Sequence, residues 1–371
     1  MSPLRRLAPA LCALSLAGLG PLAGCGSDLA RGTQDGGQDA GGDAGTDAGT
    51  AAAISAPPNQ WTWVDFPDST CDDGSPTGIG INPGAASGNV LIYFNGGGAC
   101  WDETTCLKLN TAVHGPFGAP QFQALISRAA GSILDRALAG SPVSDWTLVF
   151  VPYCTGDVHA GDNVAHYGAT AYHHQGHPNV VAYLRRLQAT LPAPGKVVVA
   201  GSSAGGYGAL LNYDTFRAAW PQASAYLLDD AGPLLEGDSI PPGIRAAWFS
   251  AWNLGARTDP LCGTACRADA SLWIPAVRAR YPNDRMALLS SLQDQVIRSY
   301  LQLNAADFQT ALLKLAADDY DPNAKLHVYF VAGQQHTFLG SPGSIAQNGQ
   351  GLTGWLQQEI GDSAAWTSVK P

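Results

Sequence analysis

The sequence is poor in charge. Only 13% of its 371 residues are Asp, Glu, Lys or Arg, and 20 Lys+Arg stand against 30 Asp+Glu, a formal net charge of −10. No dense run of Lys and Arg occurs anywhere, and a nucleic-acid footprint needs one, because phosphates are neutralised by clustered cations. Nucleic acid is therefore excluded as a partner. The longest apolar stretch, Leu7 to Leu19, falls short of the roughly 20 residues that a comfortable membrane-spanning helix needs. No CxxC pair offers zinc-ligand spacing, no HExxH pair is present, and no GK[ST] follows a glycine-rich turn. No internal repeat is evident.

What is present is a chain that is 46% hydrophobic, ample for a sizeable core. Its 44 Gly and 25 Pro signal many turns and some low-complexity sequence. Met1 to Cys25 reads as an export signal: Arg5 and Arg6 precede the apolar stretch, which ends at Leu22-Ala23-Gly24-Cys25. That ending resembles a bacterial lipoprotein box, in which Cys25 is acylated and anchors the chain; a plain secretory signal cut nearby is the other reading. Gly26 to about residue 56 is Gly-, Ala- and Asp-rich without an aromatic residue, so it buries too little to offset its ordering entropy and is expected as a flexible tether. The chain is thus expected at the cell envelope (outer membrane or surface) or secreted, with residues 57–371 as one domain acting as a monomer.

Beyond the leader, six cysteines remain: Cys71, Cys100, Cys106, Cys154, Cys262 and Cys266. An even number in an exported chain suggests disulfides. Cys100/Cys106 and Cys262/Cys266 are close enough to close small loops, which by elimination pairs Cys71 with Cys154.

From Trp61 onward, strand-like runs alternate with helical patterns. The runs are Asn89–Phe94, Trp146–Val151, Lys196–Ala200, Ala225–Leu228 and Lys325–Val331. Several are apolar at nearly every position, as in parallel strands covered on both faces. Helical patterns occupy His177–Leu191 (apolar stripe Val180, Val181, Leu184, Leu187, Leu191), Ala204–Trp220, Ile244–Trp252, Ala305–Ala317 and Gly351–Ile360. This alternation predicts an α/β fold, a mostly parallel central sheet with helices on both faces.

The strand Lys196–Ala200 runs into Gly201-Ser202-Ser203-Ala204-Gly205, and a helix pattern begins at once. This is G-x-S-x-G in strand–turn–helix context, which lifts the Ser203 hydroxyl clear of the sheet. Its flanking glycines follow from sterics, since neighbours two before and two after a strained turn must lack side chains. Strand Asn89–Phe94 opens into Asn95-Gly96-Gly97-Gly98-Ala99-Cys100, a loop of the type that supplies backbone N–H donors to an oxyanion. The base must come late in such a chain, and His336 follows the last strand-like run. His327 lies inside that run and reads as a packing residue. Asp294 is slightly favoured as the acid over Asp229, Asp230 and Asp284. His159, His166, His173, His174 and His177 crowd one glycine-rich stretch with Asp157 and Asp162; a substrate-lining loop is favoured there over a metal site.

At these residues the chain resembles the pectin acetylesterase family, with its Notum-like carboxylesterases. The matching pieces are Tyr93–Trp101, Val151–Asp157, Gly201–Gly206, Asp230-Ala231-Gly232, Ser291–Gln295 and His336-Thr337. The resemblance implies an α/β-hydrolase fold without cofactor or metal. It implies Ser203 as nucleophile, His336 as base, Asp294 as acid and an oxyanion hole from the amides of Gly97, Gly98 and Ala204. It also implies a carboxylic ester hydrolase that removes acyl groups, acetyl first among them, from a polysaccharide such as pectin. Gly98-Ala99 stands where related proteins often carry Trp, so the substrate could differ. A protease, lipase, carboxylesterase or polyester depolymerase on the same triad, a metal-dependent hydrolase built on the histidine-rich stretch, and an inactive surface-binding module remain the alternatives.

Overall fold

A computed structural model describes residues 51–85 and 88–371; the export signal, Cys25 and most of the expected tether lie outside these residues. The longer strands are β1 (Thr62–Thr70), β2 (Pro76–Asn82), β3 (Val90–Phe94), β4 (Thr147–Val151), β5 (Asn163–Tyr167), β6 (Thr170–His174), β7 (Lys196–Ser202), β8 (Ser224–Asp230), β9 (Arg285–Ser291) and β10 (Leu326–Val331). Eight of them form one sheet in the order β1-β2-β4-β3-β7-β8-β9-β10. From β4 to β10 every neighbouring pair is parallel, while β1 and β2 add an antiparallel edge. β5 and β6 pair with each other as a separate hairpin.

The parallel strands are apolar on both sides because both sides are covered. Every residue of β4 and β9 is buried. Side chains alternate across a strand, so Val197 and Val199 of β7 enter one core while Val198 and Ala200 enter the other. The first core takes its helical partners from α2 (Gly176–Thr190), α3 (Ala204–Ala219) and α4 (Pro242–Ala251). The second takes Phe122 from α1 (Ala119–Ile126) and Trp355 and Leu356 from the last long helix, Leu352–Ile360. The mostly parallel α/β sheet expected from the sequence is thus the observed one. On α2 the buried stripe is Val180, Tyr183, Leu184 and Leu187; Tyr183 occupies the place expected for Val181, which is only half-buried.

Three disulfides join Cys71 to Cys154, Cys100 to Cys106 and Cys262 to Cys266, the pairing that elimination suggests. Within the stretch expected as a tether, Ile54 is buried and its N–H donates to Thr190 Oγ1 at 2.8 Å. The Ala52 carbonyl accepts from Arg186 Nε at 3.2 Å, so the last residues before 57 dock on α2. Among the described residues no helix is long and apolar enough to cross a membrane.

Candidate active site

The site assembles at the carboxyl ends of β3, β7, β9 and β10, the edge of a parallel sheet where loops converge. β7 ends at Ser202, and Ser203 adopts φ 60° and ψ −123° before α3 begins at Ala204. A non-glycine residue at positive φ is strained and persists only where its surroundings enforce it. Here they do. The Ser203 N–H donates to the Asp230 carbonyl at 2.7 Å, and the Ser203 carbonyl accepts from Gly206 and Tyr207 N–H at 2.8 and 3.2 Å. A Cβ on Gly201 would collide with the Gly205 carbonyl, and one on Gly205 with the Phe94 carbonyl. Those two glycines are therefore packing requirements of the bend.

The glycine loop leaves β3 and passes directly beside Ser203: a Cβ on Gly96 would fall 3.1 Å from Ser203 Cβ. Gly98 takes φ +79°, which suits glycine. Beyond it the chain is fastened repeatedly. Val113 N–H donates to the Gly97 carbonyl at 2.7 Å, Ala99 N–H to Thr111 at 3.2 Å and Cys100 N–H to Gly156 at 2.9 Å. Trp252 Nε1–H donates to the Cys100 carbonyl at 2.8 Å, and Cys100 is bridged to Cys106. Among the described residues the Gly97 and Gly98 N–H groups donate to no backbone acceptor. Ala204 opens α3, where the first N–H groups have no intrahelical partner and the helix dipole favours negative charge.

Asp294 follows β9 and is fully buried. One of its oxygens accepts from His336 Nδ1 at 2.8 Å. The other accepts from the N–H groups of Val296 and Ile297 at 2.9 and 3.0 Å, capping a short helix, Gln295–Tyr300. His336 follows β10 and lines one cleft with Ser203, Gly97, Gly98, Tyr93, Asn95 and Thr337. The structure thus gathers Ser203, His336 and the glycine loop around one space, with Asp294 behind the imidazole.

The competing carboxylates are used otherwise. Asp284 binds Arg217 Nε at 2.7 Å and Tyr213 at 3.0 Å. Asp229 accepts from Gly232 N–H at 2.7 Å, and burial pushes its carboxyl well above the usual range. Asp230 accepts from Ser202 Oγ at 2.6 Å and from the Phe338 and Leu339 N–H groups at 2.9 Å each. It is therefore a clamp between the Ser203 bend and the loop carrying His336. Burial raises its carboxyl, while these donors and His336 pull in the opposite direction.

The histidine-rich stretch is scaffolding. His159 Nε2 lies 2.8 Å from the Asn95 carbonyl and its ring packs edge-on to Phe94 at 4.9 Å, so it supports the start of the glycine loop. His174 bonds the Thr155 carbonyl and Tyr167, and His177 bonds Asn212 at 2.7 Å. Burial lowers both His159 and His174 to about 4. His166 and His173 lie on the β5–β6 hairpin. Asp157 accepts from the N–H groups of His159, Gly161 and Gly176. Among the described residues no cluster of His, Cys, Asp or Glu is arranged to hold a metal ion.

One neighbouring space is not marked by any of these motifs. Beside Ser203 and Ala204 lies an apolar cavity of about 40 Å³, walled by Trp101, Tyr207, Leu211, Trp248, Trp252 and Ile297 among others. Trp248 and Trp252 stack with centroids 5.4 Å apart and an interplanar angle of 12°. Their four-residue spacing puts both on one side of a helix, a signal that the sequence does carry. A hydroxyl on an enforced bend, free amide donors and an Asp-oriented imidazole suit attack on a carbonyl and stabilisation of the resulting oxyanion.

The pectinacetylesterase family model matches residues 60–307. The chain is 27% identical over 157 residues to the palmitoleoyl-protein carboxylesterase NOTUM of Schmidtea mediterranea, covering 41% of this chain and 30% of that protein. It is 27% identical over 179 residues to pectin acetylesterase 7 of Arabidopsis thaliana, covering 47% and 45%. With palmitoleoyl-protein carboxylesterase notum2 of Xenopus laevis it shares 31% identity over 152 residues, covering 40% and 30%. The chain spans less than half the length of each of these relatives. With two thirds of its residues under the family model, the chain belongs to the pectinacetylesterase family.

Proposed function

We propose that the chain is a serine esterase that removes short acyl groups, acetyl foremost, from a polysaccharide such as pectin. The observation that carries this reading is the convergence of Ser203, at its enforced positive φ, with the Asp294-bonded His336 on one cleft. Ser203 Oγ attacks the ester carbonyl and passes its proton to His336 Nε2. The Gly97, Gly98 and Ala204 N–H groups hold the oxyanion. His336 then protonates the departing sugar oxygen, leaving an acyl-Ser203. Water, losing its proton to His336, attacks that ester; the acid leaves and the proton returns to Ser203. Asp294 keeps Nδ1–H pointed at itself and stabilises the imidazolium.

The two spaces beside Ser203 support a division of labour. The open cleft carries polar groups of Tyr93, Asn95 and Thr337 and suits a sugar alcohol. The apolar cavity suits the acyl group.

We also propose envelope attachment through an acylated Cys25 and action as a monomer. The lipoprotein-type ending at Cys25 supports the first. The second is supported by a site built wholly from one chain.

The test is hydrolysis of p-nitrophenyl acetate and of acetylated pectin by wild type, Ser203→Ala and His336→Ala. Loss of about a thousandfold or more in each variant is expected; equal rates in Ser203→Ala would overturn the assignment. Radiolabelled fatty acid incorporation that persists in Cys25→Ser would remove the anchor.

A further inference from the structure

Tyr300 belongs to two spaces at once. With Gly98 and Ser203 it lines both the apolar cavity and the polar cleft. It is the last residue of the helix Gln295–Tyr300, whose first turn Asp294 caps. One turn earlier, Ile297 lies in the cavity wall, and Leu301 follows in the same wall. The phenol ring therefore projects from the acid's own helix toward the glycine loop. Its hydroxyl donates to the Thr111 carbonyl, on the segment bridged to the glycine loop through Gly98 and Ala112. It also lies so close to Gly98 that a Cβ there would meet the phenol oxygen. Held by a capped helix at one end and by Thr111 at the other, the half-buried ring is a partition and not a loose side chain.

The geometry points to Tyr300 as the residue that sets acyl length, limiting how long an acyl group the apolar space beside Ser203 admits. The other walls are large aromatic and aliphatic side chains packed into the main core, Trp248, Trp252, Leu211 and Leu234 among them. They cannot withdraw without unpacking it. Tyr300 is only half-buried and borders the open cleft, so trimming it joins the two spaces and leaves the core intact. Because the ring stands beside the amides that would hold the oxyanion, the limit acts where the acyl chain leaves the reacting carbon. This inference rests on the esterase reading above and names the acyl class of that site.

The test is the ratio of kcat/KM for p-nitrophenyl octanoate to that for the acetate, with butyrate and hexanoate between them. Wild type is expected to fall as the acyl chain lengthens. Tyr300→Ala and Tyr300→Val are each expected to raise the octanoate-to-acetate ratio about tenfold or more, the scale of one or two methylenes in an apolar pocket. Tyr300→Trp is expected to lower the butyrate-to-acetate ratio. Tyr300→Phe keeps the ring and is expected to keep the ratios whatever its effect on rate, which separates ring volume from the Thr111 hydrogen bond. The idea fails if Ala and Val leave the wild-type ratios in place, or if wild type already favours octanoate. Absence of turnover at every chain length, together with no labelling of Ser203 by a fluorophosphonate, overturns the esterase reading and this proposal with it.

Discussion

Asp294 serves His336 with one carboxylate oxygen and the helix Gln295–Tyr300 with the other: Nδ1 of the imidazole at 2.8 Å on one side, two backbone N–H groups at 2.9 and 3.0 Å on the other. A single buried side chain thus orients the base and caps the helix that carries Tyr300.

That double duty can be separated. Asn at 294 retains an oxygen for the helix cap but presents an amide to His336 and favours the wrong tautomer. Asp294→Asn is expected to lower kcat by about a thousandfold to ten-thousandfold while the melting temperature stays near that of wild type. Asp294→Ala is expected to lose a comparable rate and also about 1 kcal/mol of stability with the cap. Esterase kinetics beside thermal melts check both; an active Asp294→Asn would point to another acid.

Asp230 couples the Ser203 bend to the His336 loop through donors from Ser202, Phe338 and Leu339. Asp230→Ala strands three buried donors and is expected to cost about 3 kcal/mol or more, with kcat falling further than KM changes because His336 loses its registration. Asp230→Asn keeps one acceptor oxygen and should sit between. A stable, fully active Asp230→Ala would show that the clamp is dispensable.

The buried imidazoles give a pH signature. Burial lowers His159 and His174 from the ordinary imidazole value of 6.5 to about 4. In the unfolded chain they gain protons earlier as pH falls. Their contribution is therefore fully present above about 6.5 and is lost as pH drops toward 4, at up to about 1.4 kcal/mol per pH unit for each group. Asp229 and Glu359, raised by burial, act in the opposite sense, so a melt reports only the sum. Ring titration by NMR isolates the effect: both histidines should remain neutral at pH 5.5, and a midpoint near 6.5 would refute the assignment.

Much of this was legible in the linear chain, and the gaps have physical causes. All five strand-like runs are strands, because a strand buried on both faces must be apolar throughout. β1, β2, the β5–β6 hairpin and β9 were not among them: β1 carries Pro67 among aspartates, β2 alternates glycines, and β9, though buried throughout, opens on Arg285 and ends on Ser290-Ser291. At Gly80 the ring of Phe122 takes the space a Cβ would fill, so the core contact there is written in another segment. The Ser203 bend could be read directly, since its glycine constraints are local. The acid could not be separated from Asp229, Asp230 and Asp284 without three dimensions, because all four lie at or next to the end of a strand and only Asp294 bonds the His336 ring. The histidine-rich stretch misled for a related reason: hydrogen bonds to carbonyls and amides leave no mark on residue spacing. Tyr300 was silent because its role depends on Thr111, far away in sequence.

The Cys100–Cys106 bond ties down the segment immediately after the glycine loop. Where thiols are kept reduced that tie cannot persist, so the amide donors beside Ser203 would be left on a loosened strap. The loop would then rest on its hydrogen bonds to Val113, Thr111, Gly156 and Trp252 alone.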